Sequence, residues 1–238
     1  MTAATEVRPD AHAVAGIALM AAQSSDVLHQ AAEAALIRHI PKNTRIFFQG
    51  EPAGRAHALL MGSVRITQAG SDGEEILVRF IGAGDIFGCV PLLTDGLYPA
   101  DATAIVDSVE VSWNPGDLLS LMRQHSGIAI NMISILGKRI GETQERLREI
   151  ATQSVDRRIA RALLRLLGQA GRQTGEGIRI VFPLRRKDIA DIAGTTLHTV
   201  SRILVEWERR GFLSSRNQYL TIFSSEDIHR IAEGGASE

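Results

Sequence analysis

The stretch RRKDIADIAGTTLHTVSRILVEWERRGFL, residues 185–213, leaves little freedom in how it folds. Gly194 separates two amphipathic helical patterns. The first, about 186–193, turns Ile189, Ile192 and Ala193 inward. The second starts at a threonine cap, Thr195 or Thr196, and stops at Gly211 after two arginines. Its apolar stripe is Val200, Ile203, Leu204 and Trp207, at i, i+3, i+4 and i+7. The opposite face carries His198, Thr199, Ser201, Arg202 and Glu206. Two short helices joined by a tight glycine turn form a helix–turn–helix, whose second helix fits a DNA major groove. Arg202 has the donor fork to read guanine O6 and N7, and the threonine hydroxyls with the helix N-terminus suit phosphate. The candidate DNA contacts are therefore Arg186, Thr196, His198, Thr199, Ser201 and Arg202. FLSSRNQYLTIF follows as a β-hairpin wing with Arg216 and Asn217 at its tip.

Charge agrees with that placement. The chain of 238 residues has a formal net charge of −1, but the charge is unevenly spread. Residues 1–153 hold 12 Lys and Arg against 17 Asp and Glu, whereas residues 154–212 hold 12 against 6. A basic module behind an acidic front points to an anionic ligand near the C-terminus. Cys89 is the single cysteine, so an intramolecular disulfide, a cysteine-based zinc site and a four-cysteine iron–sulfur cluster are all excluded within one chain. A reducing, cytosolic compartment is expected. AVAGIALMAA, residues 13–22, follows Glu6, Arg8 and Asp10 rather than a positive run and is too short to span a bilayer. It reads as a short helix or a loosely packed arm.

Between about 44 and 113 the pattern becomes short β-type runs (RIFFQG, HALLMGSVRITQA, EEILVRFIG, DIFGCV, ATAIVD, VEVSW) divided by turn residues, which predicts an antiparallel roll or barrel. Asp72-Gly73 is placed at a hairpin turn, and Gly62, Gly82, Gly84 and Gly88 at bends. NPGDLLSLMRQHSG is a helical lead-in with Asp117 in its first turn. Then Ile133, Leu136, Ile140, Thr143, Leu147 and Ile150 recur at spacings of 3, 4, 3, 4 and 3. That is an a/d seam expected to pair with a second copy, while Ile128, Met132 and Ile135 give the same helix another face for the β domain. Residues 154–169 form a further helix behind Ser154, with Ile159, Leu163, Leu166 and Leu167 on one side. GRQTGEG is read as a loop and IRIVFPL as a strand ending at Pro183.

The order of these parts, with LLMGSVRI, GAGDIFG and residues 185–213, resembles the CRP/FNR family of bacterial transcription regulators from about residue 38 to 231. The resemblance implies an α+β chain with an N-terminal double-stranded β-roll of the cyclic-nucleotide-binding type. Its division is an arm at 1–35, the roll at 36–115, a dimerisation helix at 116–152 and a winged helix–turn–helix at 153–238. It implies a homodimer on double-stranded DNA, RNA polymerase as a partner, and no enzymatic activity. The family's base-reading positions fall on His198, Ser201 and Arg202. Ser201 is similar to the branch that reads TTG, while His198 stands where that branch has Glu.

The family's cyclic AMP pocket takes a Glu, an Arg-Ser pair and two helix residues. Here those positions are Cys89, Pro99 with Ala100, and Thr143 with Gln144, of which only the threonine is kept. Losing the charge partner of a phosphate argues against cyclic AMP. The open alternatives are a haem-dependent sensor of nitric oxide or another gas, a redox switch at Cys89, and a nucleotide-binding module with no DNA role. The apolar neighbours Phe87 and Val90 favour an inert buried thiol.

Overall fold

A computed structural model describes residues 8–71, 73–94 and 96–234. The hairpin centre at Asp72 lies outside the described residues. The chain divides into two compact units, one running to Ile140 and the other from Gly141, with residues 76–78 counted in the second.

In the first unit, α1 (Ala11–Ala15) and α2 (Ser25–Glu33) precede eight strands. These are β1 (Ala35–Ile40), β2 (Arg45–Phe47), β3 (Ala56–Met61), β4 (Val64–Ala69), β5 (Glu75–Ile81), β6 (Ile86–Phe87), β7 (Asp101–Ala104) and β8 (Ser108–Trp113). They form two four-stranded antiparallel sheets, in the orders β1-β8-β3-β6 and β2-β7-β4-β5. This is the roll that the short, turn-punctuated runs predicted. Gly62, at φ +101, makes the bend between β3 and β4, and a β-carbon there would run into Ser108.

Three sequence expectations need correction in this unit. The β region begins at Ala35, since ALIRHI pairs with β8 at all six positions from Ala35↔Trp113 to Ile40↔Ser108. No turn signal separates it from α2, and Arg38 and His39 break its apolar pattern. Of the two readings of residues 13–22, the short helix holds (α1) and the loosely packed arm does not: Val14, Ile17, Leu19 and Met20 are buried in a core with Ala58, Ile86, Cys89 and Trp113. The Trp113 indole N–H donates to the Ala31 carbonyl at 2.8 Å and ties α2 to the same core. DIFGCV contributes only two strand residues before a 3-10 turn over Val90–Leu93.

Helices α3 (Pro115–Gln124) and α4 (Ser126–Thr152) follow. Asp117 sits in the first turn of α3 and accepts from Asn114 at 3.3 Å. Ile128 and Met132 are buried in the core of the roll and Ile135 packs on it, as the off-seam face predicted.

The second unit holds the end of α4, then α5 (Val155–Ala170), β9 (Gly171–Gln173), β10 (Ile178–Ile180), α6 (Arg186–Ala193), α7 (Leu197–Arg209), β11 (Leu213–Arg216), β12 (Tyr219–Ile222) and α8 (Ser225–Glu233). The strands form one sheet ordered β11-β12-β10-β9. GRQTGEG is therefore not all loop: Gly171–Gln173 pairs with β10, and Thr174 closes the hairpin on the Gly177 carbonyl. Gly-Arg-Gln has no alternating pattern, so only its partner strand reveals it. Ile159, Leu163, Ile189, Val200, Leu204, Trp207, Leu220 and Ile228 fill the core. Among the described residues, no helix is long and apolar enough to cross a membrane.

Candidate nucleic-acid interface and effector site

The turn between α6 and α7 is built by local chemistry. Buried Asp188 accepts the Arg185 backbone N–H at 2.9 Å and the Arg185 guanidinium at 2.6 Å, which fixes the start of α6. Gly194 ends α6 in the left-handed region at φ +61, where a side chain would be strained. Thr196 then caps α7: its hydroxyl accepts the Thr199 N–H at 3.2 Å and meets the Thr199 hydroxyl at 2.9 Å. Both threonines are thus engaged in shaping the helix end while facing outward.

With Val200, Ile203, Leu204 and Trp207 buried, the other face of α7 is offered to solvent. His198 and Arg202 are exposed and Ser201 is half-buried. Glu206 is the natural i+4 partner of Arg202, yet it holds Arg209 instead, at 2.9 and 3.1 Å. That pairing pulls the Glu206 carboxyl below its ordinary pKa and raises that of Arg209. Among the described residues, the Arg202 side chain makes no hydrogen bond or ion pair. Arg186 lies apart from this free face, half-buried and 3.8 Å from Glu208.

Sequence reasoning missed one residue here. Leu197, the first residue of α7, is 49% exposed, although a leucine at a helix start would ordinarily be packed. Its signal was present: it falls outside the 200/203/204/207 stripe, between two polar residues. An apolar group there can meet a thymine methyl. The wing is a two-residue hairpin, with Asn217 and Gln218 at φ +51 and +67. On the neighbouring strand β10, Arg179 lies 4.4 Å over the Tyr219 ring, and with Arg216 it lines a concavity of about 490 Å³.

Along α4, Ile133, Ile140 and Leu147 are 70, 60 and 68% exposed, and Thr143 is also exposed. Leu136 is partly taken up by the roll's core. Ile150 sits against the turn of the helix–turn–helix, where a β-carbon on Gly194 would lie 2.9 Å from its Cδ1.

The effector candidates are differently placed. Cys89 is fully buried in the core beside Ile86 and Trp113. Burial pushes its thiol pKa up, against the opposing pull of Arg139, whose Nη1 lies 4.0 Å from Sγ. Arg139 also donates to the Ile86 carbonyl. Pro99 is exposed and its carbonyl accepts from Gln68 at 3.2 Å, while Ala100 is buried with Phe47, Phe87 and Tyr98. Thr143 and Gln144, both exposed, belong to the other unit.

The roll also contains a buried polar cluster that the sequence did not reveal. His57 and Glu110 are 4% and 1% exposed. His57 Nδ1 contacts Glu110 at 3.0 Å and Nε2 contacts the Tyr98 hydroxyl at 3.3 Å. Arg38 donates to Glu110 from Nε at 2.9 Å and pairs with it through Nη2 at 2.7 Å. Tyr98 donates to the Arg55 carbonyl at 2.7 Å and stacks on Phe47 at 3.8 Å. A haem iron needs an axial ligand. The Cys89 thiol is fully buried, with the Arg139 guanidinium against its sulfur, and both His57 nitrogens are engaged, so neither fits that role.

An outward-facing, uncompensated arginine on the second helix of a winged helix–turn–helix, behind a β-roll, defines a DNA-binding transcription regulator with an effector-type domain. Residues 37–125 match the model for the cyclic nucleotide-binding domain, and residues 157–230 that for the Crp-like helix-turn-helix domain. The chain is 28% identical over 192 residues to the CRP-like cAMP-activated global transcriptional regulator of Mycobacterium tuberculosis, covering 81% of this chain and 86% of that one. It is 31% identical to the cyclic AMP receptor protein of Thermus thermophilus, covering 70% and 74%. The fold is shared with FixK2 from Bradyrhizobium japonicum at a TM-score of 0.72 and 23% identity, over 85% of this chain and 99% of that one. The chain belongs to the CRP/FNR family of transcription regulators.

Proposed function

We propose that this regulator acts as a homodimer, reading a palindromic TTG-type site with α7 under the control of an effector other than cyclic AMP. The free guanidinium of Arg202 carries the reading: it is exposed on α7 and left unpaired by Glu206. Arg202 reads the guanine of each half-site, Ser201 and His198 the neighbouring bases, and Leu197 a thymine methyl. Thr196, Thr199 and Arg186 contact phosphates. RNA polymerase is the expected protein partner, and the cytoplasm the expected compartment.

The exposed stripe of α4 supports the dimer. Ile133, Ile140 and Leu147 lie on one stripe and are 60–70% exposed, and covering such side chains yields about 1.5–3 kcal/mol for each one fully buried. Two copies joined there place two recognition helices on half-sites about one helical turn apart. Replacing both Ile140 and Leu147 by Glu converts the dimer to a monomer in sedimentation, and an unchanged dimer refutes the seam.

The effector reading rests on substitution at the family's pocket positions. The position of a ribose-gripping Glu holds Cys89, closed inside the core, and the Arg-Ser pair is exposed Pro99 with Ala100. Calorimetry with cyclic AMP is expected to show no binding; saturable heat in the micromolar range would overturn this. The DNA reading is tested by fluorescence anisotropy on a duplex with inverted TTG half-sites against a scrambled duplex at fixed salt. Preference for the first supports it, and equal affinity in the presence of every effector tried removes it.

A further inference from the structure

The end of the long helix and the turn of the helix–turn–helix are held by one side chain. Arg158, in the first turn of α5, donates from Nε to the Ala193 carbonyl at 2.9 Å and from Nη2 to the Gly194 carbonyl at 3.2 Å. Its Nη1 donates to the Ile150 and Gln153 carbonyls, both at 3.2 Å. Ala193 and Gly194 end α6 and lead into α7, while Ile150 is in the last turn of α4 and Gln153 is the first residue beyond it. Carbonyls in the last turn of a helix lack partners within it, so a planar guanidinium can gather two such ends at once.

Two further contacts join the same parts. Ile150 packs on Gly194, and Arg146, four residues earlier on α4, donates to the Asp191 carbonyl of α6. Its neighbour Arg157 makes contacts of the same kind to a different place: it donates to the Ala232 and Glu233 carbonyls of α8, at 3.4 and 3.3 Å. Of these adjacent arginines, one ties α5 to the C-terminal helix and the other ties α4 to the recognition turn.

We propose that Arg158 is a positioning residue for DNA reading: its four carbonyl contacts make the α6–α7 turn, and with it α7, follow the last turn of α4. This rests on the DNA-binding reading above. Arg158 touches no base, and its effect is on how the recognition helix is held relative to the helix that sets the dimer.

The test compares the wild-type full chain with Arg158→Gln, Arg158→Lys and Arg157→Gln. One readout is the ratio of affinities for the inverted-TTG and scrambled duplexes. The other is amide exchange in residues 150–153 and 193–196. Arg158→Gln is expected to lower the affinity ratio on the order of tenfold and to speed exchange in both segments. Arg157→Gln should lower melting temperature without changing either readout. An unchanged ratio and unchanged exchange in folded Arg158→Gln overturn the proposal. Should that variant fail to fold, Arg158→Lys decides in the same way, because an ammonium keeps the charge but cannot span both pairs of carbonyls. A wild-type chain with no preference defeats the DNA reading instead, and the exchange readout then judges Arg158 alone.

Discussion

His57 and Arg38 in the β-roll are the same residue types as His198 and Arg202 on α7, under opposite conditions. The first pair converges on buried Glu110. The second faces solvent, and among the described residues no carboxylate claims it. In the roll His57 and Glu110 are enclosed, and Arg38, itself exposed, reaches in to the same carboxylate, so these groups satisfy one another and their work is structural. On α7 a cation is held out on a rigid helix and kept from its neighbour by the Glu206–Arg209 pair, so it is available to a ligand. Residue type alone therefore did not mark the site; what marks it is whether the fold supplies the partner.

The sharpest way to break that contrast is to remove Glu110. Glu110→Ala leaves the buried His57 Nδ1 without its partner inside the roll, and a buried polar group left unsatisfied costs about 1–3 kcal/mol. Urea unfolding should show that loss, while the affinity ratio between specific and scrambled duplexes stays as in wild type in the folded fraction. A stability change under ~1 kcal/mol would mean the cluster is already well solvated.

Arg202→Ala is the mirror experiment. It should leave the urea midpoint nearly unchanged, because the side chain makes no hydrogen bond or ion pair among the described residues. On a TTG-type duplex it should cost about 1–3 kcal/mol and relax preference at the guanine. Equal binding by mutant and wild type would move the base-reading role elsewhere on α7.

How legible these regions were in the sequence follows the range of the interactions that make them. The α6–turn–α7 unit could be read because its signals are local: a stripe at helical spacing, a threonine cap and a left-handed glycine, all within residues 186–211. The a/d spacing along α4 is local in the same way, and Ile133, Ile140 and Leu147 on it are exposed. The His57–Glu110 cluster was not legible, because it joins positions 53 residues apart through the register of β3 on β8. Strand β9 was invisible too, since Gly-Arg-Gln becomes a strand only by pairing with β10. Leu197 was overlooked although its spacing set it off the stripe. Ile150 and Leu136 fit the heptad, but the fold also uses them against Gly194 and the core of the roll, which spacing along one helix does not show.

A finer test on α7 uses Leu197. If its exposed side chain meets a thymine methyl, Leu197→Ala should weaken binding by on the order of 1 kcal/mol. Replacing that thymine by uracil, which lacks the methyl, should do the same to wild type and little more to the mutant. Additive losses from both changes would show that the two groups do not touch.

Cys89 gives the smallest effect and the cleanest separation of the two regions. Its thiol is buried, and burial raises its pKa above the ordinary 9.0, with Arg139 opposing. The folded state thus favours the neutral thiol. The stability this contributes is complete below the thiol's unfolded value and is lost as pH rises above it toward the folded value, where the unfolded chain ionises first. Stability measured between pH 8 and pH 10 should therefore decline slightly more in wild type than in Cys89→Ala. Thiol-specific reagents should label native protein far more slowly than unfolded protein. The DNA affinity ratio of Cys89→Ala should equal that of wild type, because a group enclosed in the core of the roll offers no surface to an oxidant or a ligand. Fast labelling of native protein, accompanied by a change in that ratio, would instead make Cys89 a redox input to DNA binding.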